Sequence, residues 1–195
     1  RLVSAGISGP VTVVPAAQPQ ASSNRIQTAI AADGTALLTF ESKHVWPTGS
    51  WTLTHPDGKQ ERIGADPTGG AHTIVAPELW WPNGMGDQPL YRLTWTPDSP
   101  ALHSLHWNIG LRTIEWVREP DAWGRSFACH VNGVRVQARG ANVIPADFFT
   151  VRGSVNEVSR LQSAVDANMN MVRVWGGASY PSEQFYHFCD SAGLL

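Results

Sequence analysis

The run Met171-Val172-Arg173-Val174-Trp175-Gly176-Gly177 places a cation and an aromatic ring at the end of an otherwise apolar stretch. As a strand it alternates, so Val172 and Val174 share one face while Met171, Arg173 and Trp175 share the other. An arginine on an apolar strand must satisfy five donors, and ion pairs, an active site or the mouth of a barrel can supply partners. Gly176 and Gly177 let the backbone turn and approach another group closely. Two readings stand side by side. Arg173 is a structural ion-pair partner and Trp175 a core plug, or both face a ligand.

The elements around this run decide where it sits. Phe127–Val131, Asn132-Gly133 and Val134–Arg139 read as a hairpin, since Asn-Gly supplies both positions of a type I′ turn. A helix follows, with Ser154 and Glu157 as a capping box and Val155, Val158, Leu161 and Val165 at helical spacing up to Asn168. After the Met171 strand, Ser182 can cap a second helix that turns Phe185, Phe188 and Cys189 inward and stops at Gly193. Strand, helix, strand, helix with short connections is the grammar of a parallel sheet with right-handed crossovers. A (β/α)8 barrel needs about 250 residues, so two β/α units are an incomplete one. Chemistry in such barrels gathers at the C-terminal ends of the strands, where Asn142, Trp175 and Gly176-Gly177 fall.

The first half has another rhythm. Twelve of the fourteen prolines lie at or before Pro120, and short runs are punctuated by Gly, Pro, Asp and Asn. Strands are expected at Pro10–Val14, Arg25–Ala31, Ala36–Ser42, Ser50–Thr54, Ala71–Val75, Leu90–Trp95 and Ser104–Asn108. Seven short strands point to an immunoglobulin-like sandwich. Trp51 and Leu53 share a face, as do Tyr91, Leu93 and Trp95, and Pro56-Asp57-Gly58-Lys59 is a turn.

Composition narrows the ligand class. The 195 residues carry a net charge of −2 without a Lys/Arg cluster, which gives no support for a nucleic-acid or anionic-membrane partner. Charged residues are 15%, against roughly 25% in an average domain. Nine tryptophans and 42% hydrophobic content point to buried or ligand-facing apolar surface and to neutral ligands. Cys129 and Cys189 are too few for a disulfide framework and read as buried thiols, with a bridge left open. The seven histidines show no metal-ligand spacing, so neither a metal nor another cofactor is expected. The compartment is undetermined, and the unstarted N-terminus and broken-off Leu194-Leu195 read as those of an excised piece.

Several of these stretches resemble glycoside hydrolase family 2, specifically its β-mannosidases. Leu79-Trp80-Trp81-Pro82-Asn83-Gly84-Met85-Gly86 with Gln88-Pro89-Leu90-Tyr91 is similar to the tryptophan-rich segment of the family's second immunoglobulin-like domain. Gly110–Glu115 resembles the strand leaving that domain, and Phe127–Gly133 the hairpin that introduces the barrel. Gly140–Asp147 and Asn168–Gly177 resemble the ends of the first two barrel strands. Two positions depart from the pattern: Val143 stands where tryptophan is usual, and Ala178 where a third glycine is common. Residues before about 75 match no motif.

The resemblance implies a sandwich domain over residues 1–115 and the start of a (β/α)8 TIM barrel over residues 116–195. It implies a retaining exo-glycosidase that removes terminal β-D-mannosyl residues from oligosaccharides, using two glutamates on later strands. No catalytic residue is therefore assigned among residues 1–195, and the isolated chain is expected to be inactive and to aggregate unless the rest of its barrel covers it. Trp175 is implied as a sugar-stacking face, Arg173 as a fork of donors for carboxylates or a hydroxyl, and Asn142 as a donor and acceptor for hydroxyls. Asp147 reads as a turn residue, and Glu115 and Glu119 as solvated or paired charges. The competing readings are a sibling family 2 glycosidase, such as an exo-β-glucosaminidase or β-galactosidase, and a non-catalytic carbohydrate-binding sandwich.

Overall fold

The computed structural model describes residues 13–15, 18–19, 24–42, 46–64, 70–147, 156–177 and 180–195. Among these described residues the fold is mostly β-sheet with two helices. β1 (Asn24–Ile30), β2 (Ala36–Ser42) and β5 (Ala71–Ile74) form one antiparallel sheet in the order β1-β2-β5. β3 (Gly49–Thr54), β4 (Gln60–Ile63), β6 (Tyr91–Pro97) and β7 (Leu105–Ile109) form a second, in the order β4-β3-β6-β7. Alternation explains how they meet. On β6, Tyr91, Leu93 and Trp95 point inward while Arg92 and Thr96 face solvent, and β3 buries Trp51 and Leu53 opposite Trp95 and Leu93.

Both sheets contribute to one core, with Ala36, Leu38, Phe40 and Ile74 from the first against Trp51, Leu53, Leu93 and Trp95 from the second. Its centre is aromatic. Trp46 meets Trp95 edge-on at 4.7 Å between ring centroids and 81° between planes, and Trp51 stacks on Trp107 at 5.8 Å and 22°. Such pairs add about 0.5–1.5 kcal/mol each to the burial of their area. A polar contact also joins the sheets. Glu61 on β4 places Oε1 3.0 Å from Nε2 of both His55, which follows β3, and His72 on β5.

β8 (Ile114–Val117), β11 (Ala128–Val131) and β12 (Val134–Val136) make a three-stranded antiparallel sheet, and a short ribbon of β9 (Pro120–Asp121) and β10 (Gly124–Arg125) extends the β8–β11 hairpin. The Asn132-Gly133 turn has φ 50° and 76°, the positive pair that a type I′ turn requires. β13 (Gly140–Val143) then pairs in parallel with β14 (Met171–Val174), joined by α1 (Glu157–Asp166). α2 (Glu183–Ala192) follows β14. The two helices and the strands enclose Leu161, Phe185, Cys189 and Leu194, with Val143, Val172 and Val174 against them.

The tryptophan-rich segment ties the halves together. Trp80 is fully buried, its Nε1 donates to the Asp190 carbonyl at 2.6 Å, and the Arg112 guanidinium lies 4.2 Å from its ring centroid. Asn83 donates from its backbone to the Gly193 carbonyl at 2.8 Å and from Nδ2 to the Met169 carbonyl at 3.0 Å. Gly193 ends α2 at φ 77°, and a Cβ there would run into the Asn83 backbone. A glycine is thus required twice at this position, for the left-handed turn and for the approach. Burial pushes the Asp190 carboxyl up, while Arg112 and His187 pull the other way.

Several expected boundaries move. Five of the first-half strands lie within about two residues of their expected spans and Ala36–Ser42 coincides; of Pro10–Val14, residues 10–12 lie outside the described residues, and 13 and 14 are not in a strand. β4 was not expected, because Gln60–Ile63 carries only one buried residue, Ile63, and borrows its order from β3 across the Pro56–Lys59 turn. Ser154 and Val155 lie outside the described residues. Asn156 occupies the N-cap of α1 without a side-chain hydrogen bond, and Glu157 accepts instead from Ser182 Oγ at 2.5 Å. Ser182 does cap α2, receiving the Phe185 amide, and Cys129 and Cys189 are buried free thiols.

Candidate functional site

The parallel register of β13 and β14 sets Asn142 directly beside Arg173. Asn170 holds that register. It is 1% exposed, its Oδ1 accepts the Arg139 amide at 2.9 Å, and its Nδ2 donates to the Gln137 carbonyl at 3.1 Å. Its own amide and that of Met171 both donate to the Arg139 carbonyl. Four hydrogen bonds therefore lock the start of β14 to the approach of β13. Gly140 completes the contact, since a Cβ there would overlap the Met171 carbonyl.

From that base the side chains divide as alternation demands. Val172 and Val174 pack toward the helices. Arg173 turns to the other face, is exposed, and donates from Nη1 to Asn142 Oδ1 at 3.1 Å. Its other donors meet no partner among the described residues. The Asn142 amide nitrogen is also left to donate. Together they present a fork of N–H groups at the strand ends, suited to hydroxyl or carboxylate oxygens. The guanidinium offers donors and no acceptor, and the amide oxygen is already engaged by it. The pair binds and orients; it does not transfer protons.

Trp175 stands one step further along. Its amide continues the ladder to the Val143 carbonyl at 3.1 Å, and its side chain is 43% exposed. The ring lies over Gly177, where any side chain would strike it. Gly177 therefore supports the indole from below and leaves the remainder of the ring open. The structure brings all three expected residues to the same end of one parallel pair. It does not give Arg173 a carboxylate partner among the described residues.

A cavity of about 850 Å³ lies between the strands and the helices, reaching Asn142 and Trp175 but not Arg173, which points to the other face. Val143, Val174, Leu161 and Phe185 form its apolar wall, with Trp175 and Asp147 toward the strand ends. Arg160, on α1, braces the rim by donating from Nη1 to the Ile144 carbonyl at 2.8 Å. Two contributors, Arg160 and Asn170, escaped sequence reasoning as parts of the site. Arg160 and Glu157 stand three residues apart on α1, the spacing of one helix face, and that spacing was the available signal. Asn170 sat inside the motif but reads locally as a loop residue. Its burial is set by Arg139 and Gln137, more than thirty residues away.

Among the described residues there is no group of three or more His, Cys, Asp or Glu side chains arranged to hold a metal, and no helix long and apolar enough to cross a membrane.

No family model matches the chain. Comparison with curated proteins finds β-mannosidase B of Aspergillus terreus, 38% identical over 128 residues, which are 64% of this chain and 15% of that protein. It also finds the β-mannosidase of Capra hircus, 40% identical over 126 residues, 62% of this chain and 14% of that protein. The chain thus matches about 15% of the length of these relatives. Among solved structures, the β-D-mannosidase of Dictyoglomus thermophilum superposes with a TM-score of 0.66 at 29% identity, covering 88% of this chain and 24% of that one. The β-glucuronidase of Parabacteroides merdae superposes at 0.68 with 18% identity, covering 89% of this chain and 23% of that one, a likeness of fold alone. The resemblance to β-mannosidases is borne out.

Proposed function

We propose that this β-mannosidase-like chain is a segment of a longer retaining exo-glycosidase that hydrolyses terminal β-D-mannosides. Residues 1–115 form its immunoglobulin-like sandwich and residues 116–195 open its (β/α)8 barrel. The observation that carries the reading is the Asn142–Arg173 pair beside the half-open Trp175 ring, at the C-terminal ends of two parallel strands, in a chain 38–40% identical to β-mannosidases. That end of a parallel β/α array is where barrel enzymes hold their substrates. Leu195 pairs with β14 in parallel fashion, donating to the Asn170 carbonyl and accepting from Val172 at its own carbonyl, both at 2.9 Å.

The division of labour follows from the side chains. Trp175 supplies a flat apolar face for one side of the sugar ring. Arg173 and Asn142 hold hydroxyls, or orient the carboxylates that do the chemistry. Retention requires two carboxyl groups about 5–5.5 Å apart, one protonating the departing oxygen and one attacking the anomeric carbon. We assign neither to residues 1–195. The likeness to β-glucuronidase and exo-β-D-glucosaminidase structures, at 18–20% identity, bears on the fold and leaves the mannoside reading ahead.

The test uses the full-length polypeptide with aryl β-mannoside, β-glucuronide and β-glucosaminide substrates. The mannoside is expected to be turned over fastest. Trp175→Ala is expected to lower kcat/KM on it by about 100-fold, on the order of 2.7 kcal/mol of lost transition-state binding, with little change in melting temperature. Unchanged kcat/KM removes Trp175 from the site.

A further inference from the structure

The loop of residues 81–88 leaves the two-sheet half and carries its own bracing. The Trp81 amide donates to the Asp87 carbonyl and the Met85 amide to the Pro82 carbonyl, both at 2.9 Å. Gln88 Nε2 donates to the carbonyls of Trp81 and Gly86 at 2.9 and 2.7 Å. The root of the loop is held as well. The Trp80 amide donates to the Leu111 carbonyl at 2.9 Å, and the Trp80 carbonyl accepts from Asn132 Nδ2 at 3.0 Å. A segment bonded to itself in this way carries its tip to one place.

That tip is Asn83, and its hydrogen bonds end on carbonyls where the two helices stop. Its amide reaches Gly193 at 2.8 Å, and its Nδ2 reaches Met169 at 3.0 Å and Val165 at 3.3 Å. The last carbonyls of a helix have no intrahelical partner and carry partial negative charge, which a basic residue in the last turn commonly answers. Neither α1 nor α2 has one. Asn83 answers both ends from another part of the chain.

The Met169 contact bears on the site. After α1 the chain turns through Asn168 at φ 58°, passes Met169 and Asn170, and enters β14. Asn170 fixes β14 sideways, against Arg139 and Gln137. Asn83 fixes it lengthwise, by holding the carbonyl just ahead of Asn170. From Met169 to Arg173 is about 13 Å of extended strand, too short and too well paired to absorb a slide. A displacement of about 1 Å at groups that hold a substrate costs up to about 100-fold in rate. We infer that Asn83 is a positioning residue of the sugar site, setting through Met169 and β14 where Arg173 and Trp175 stand. This role rests on the glycosidase reading above, and it gives the two-sheet half a share in substrate binding without contact with the sugar.

The full-length polypeptide provides the test. Asn83→Asp keeps the size of the side chain and removes the Nδ2 donors, and Asn83→Ala takes its place if the carboxylate prevents folding. Hydrogen exchange needs no activity: the amides of residues 171–175 are expected to exchange at least about 10-fold faster in the variant, with those of Leu93 and Trp95 unchanged. KM for an aryl β-mannoside does not depend on how much of the protein is folded, and it is expected to rise at least about 5-fold. Unchanged exchange at residues 171–175, or an unchanged KM, overturns the role. Faster exchange that extends to β6 also overturns it and leaves Asn83 a part in stability alone. A wild type that does not hydrolyse the mannoside removes the glycosidase reading instead, and the exchange pattern still decides whether Asn83 holds β14 in place.

Discussion

The two-sheet half and the βαβα half handle apolar surface in opposite ways. In the first, two sheets turn their inner faces on each other, and Leu38, Leu53, Leu93 and Trp95 reach full burial with nothing further needed. In the second, one parallel pair and two helices bury four side chains and leave Ile144, Val158, Trp175 and Tyr186 substantially exposed. The physical reason is edge count. A pair of facing antiparallel sheets closes a core between themselves, whereas a parallel sheet requires cover on both faces and partners at both edges. The first half closes a core between its own sheets, and the second leaves apolar side chains exposed among the described residues.

Equal truncations in the two halves should therefore cost different amounts. Trp95→Ala, in the centre of the aromatic core, is expected to destabilise the full-length polypeptide by about 4 kcal/mol, the range for a large aromatic lost from a packed site. Phe185→Ala, equally buried but lining the cavity, is expected to cost about half as much, because fewer neighbours close on the ring. Urea midpoints measure both, and equal losses would break the comparison.

The next effect lies at the junction. Gly193→Ala must adopt the left-handed backbone and push away Asn83, which is expected to cost about 2 kcal/mol. More tellingly, it should separate the unfolding of the halves, so that helix loss followed by circular dichroism precedes loss of the tryptophan core followed by fluorescence. Coincident transitions in the variant would show that the segment around Trp80 and Asn83 does not couple them.

The smallest effect belongs to Glu61, part of the polar contact between the two sheets. The hydrogen bond from His55, followed by that from His72, holds its carboxyl below the ordinary value of 4.5. A carboxyl lowered in the folded state contributes stability that is fully present above its unfolded value and is lost as pH falls through its folded one. Glu61→Gln is thus expected to cost less than about 1 kcal/mol at pH 7, since the group is about a third exposed. The difference from wild type should shrink below pH 4.5. A gap that widens toward acid would reverse the assignment.

Much of the fold was legible because it is written in short-range patterns. Alternation on Tyr91, Leu93 and Trp95, the Asn132-Gly133 turn, and the Ser182 and Gly193 caps each depend on a few neighbouring residues, and each is found in the structure. The strand Gln60–Ile63 and the start of α1 at Asn156 were not, since pairing across a turn or a contact from another helix sets them. At the candidate site, the types of Asn142, Arg173 and Trp175 and their place at the strand ends could be read in advance. The 3.1 Å bond between Arg173 and Asn142 could not, because it depends on register.

The sequence by itself determined which residues alternate, where the Asn132-Gly133 turn and the caps of α2 fall, and that Arg173 and Trp175 would stand at the end of a strand. Only the tertiary structure decided that Asn170 would pin β13 to β14, that Trp80 would reach the Asp190 carbonyl, and that Met171 and Leu195 would settle on the Cys129 sheet. Local preferences act over a turn or two of chain and repeat visibly. A buried amide or indole finds its partner across thirty to more than a hundred residues, and only the requirement that every buried polar group be bonded while apolar faces close on one another selects that partner.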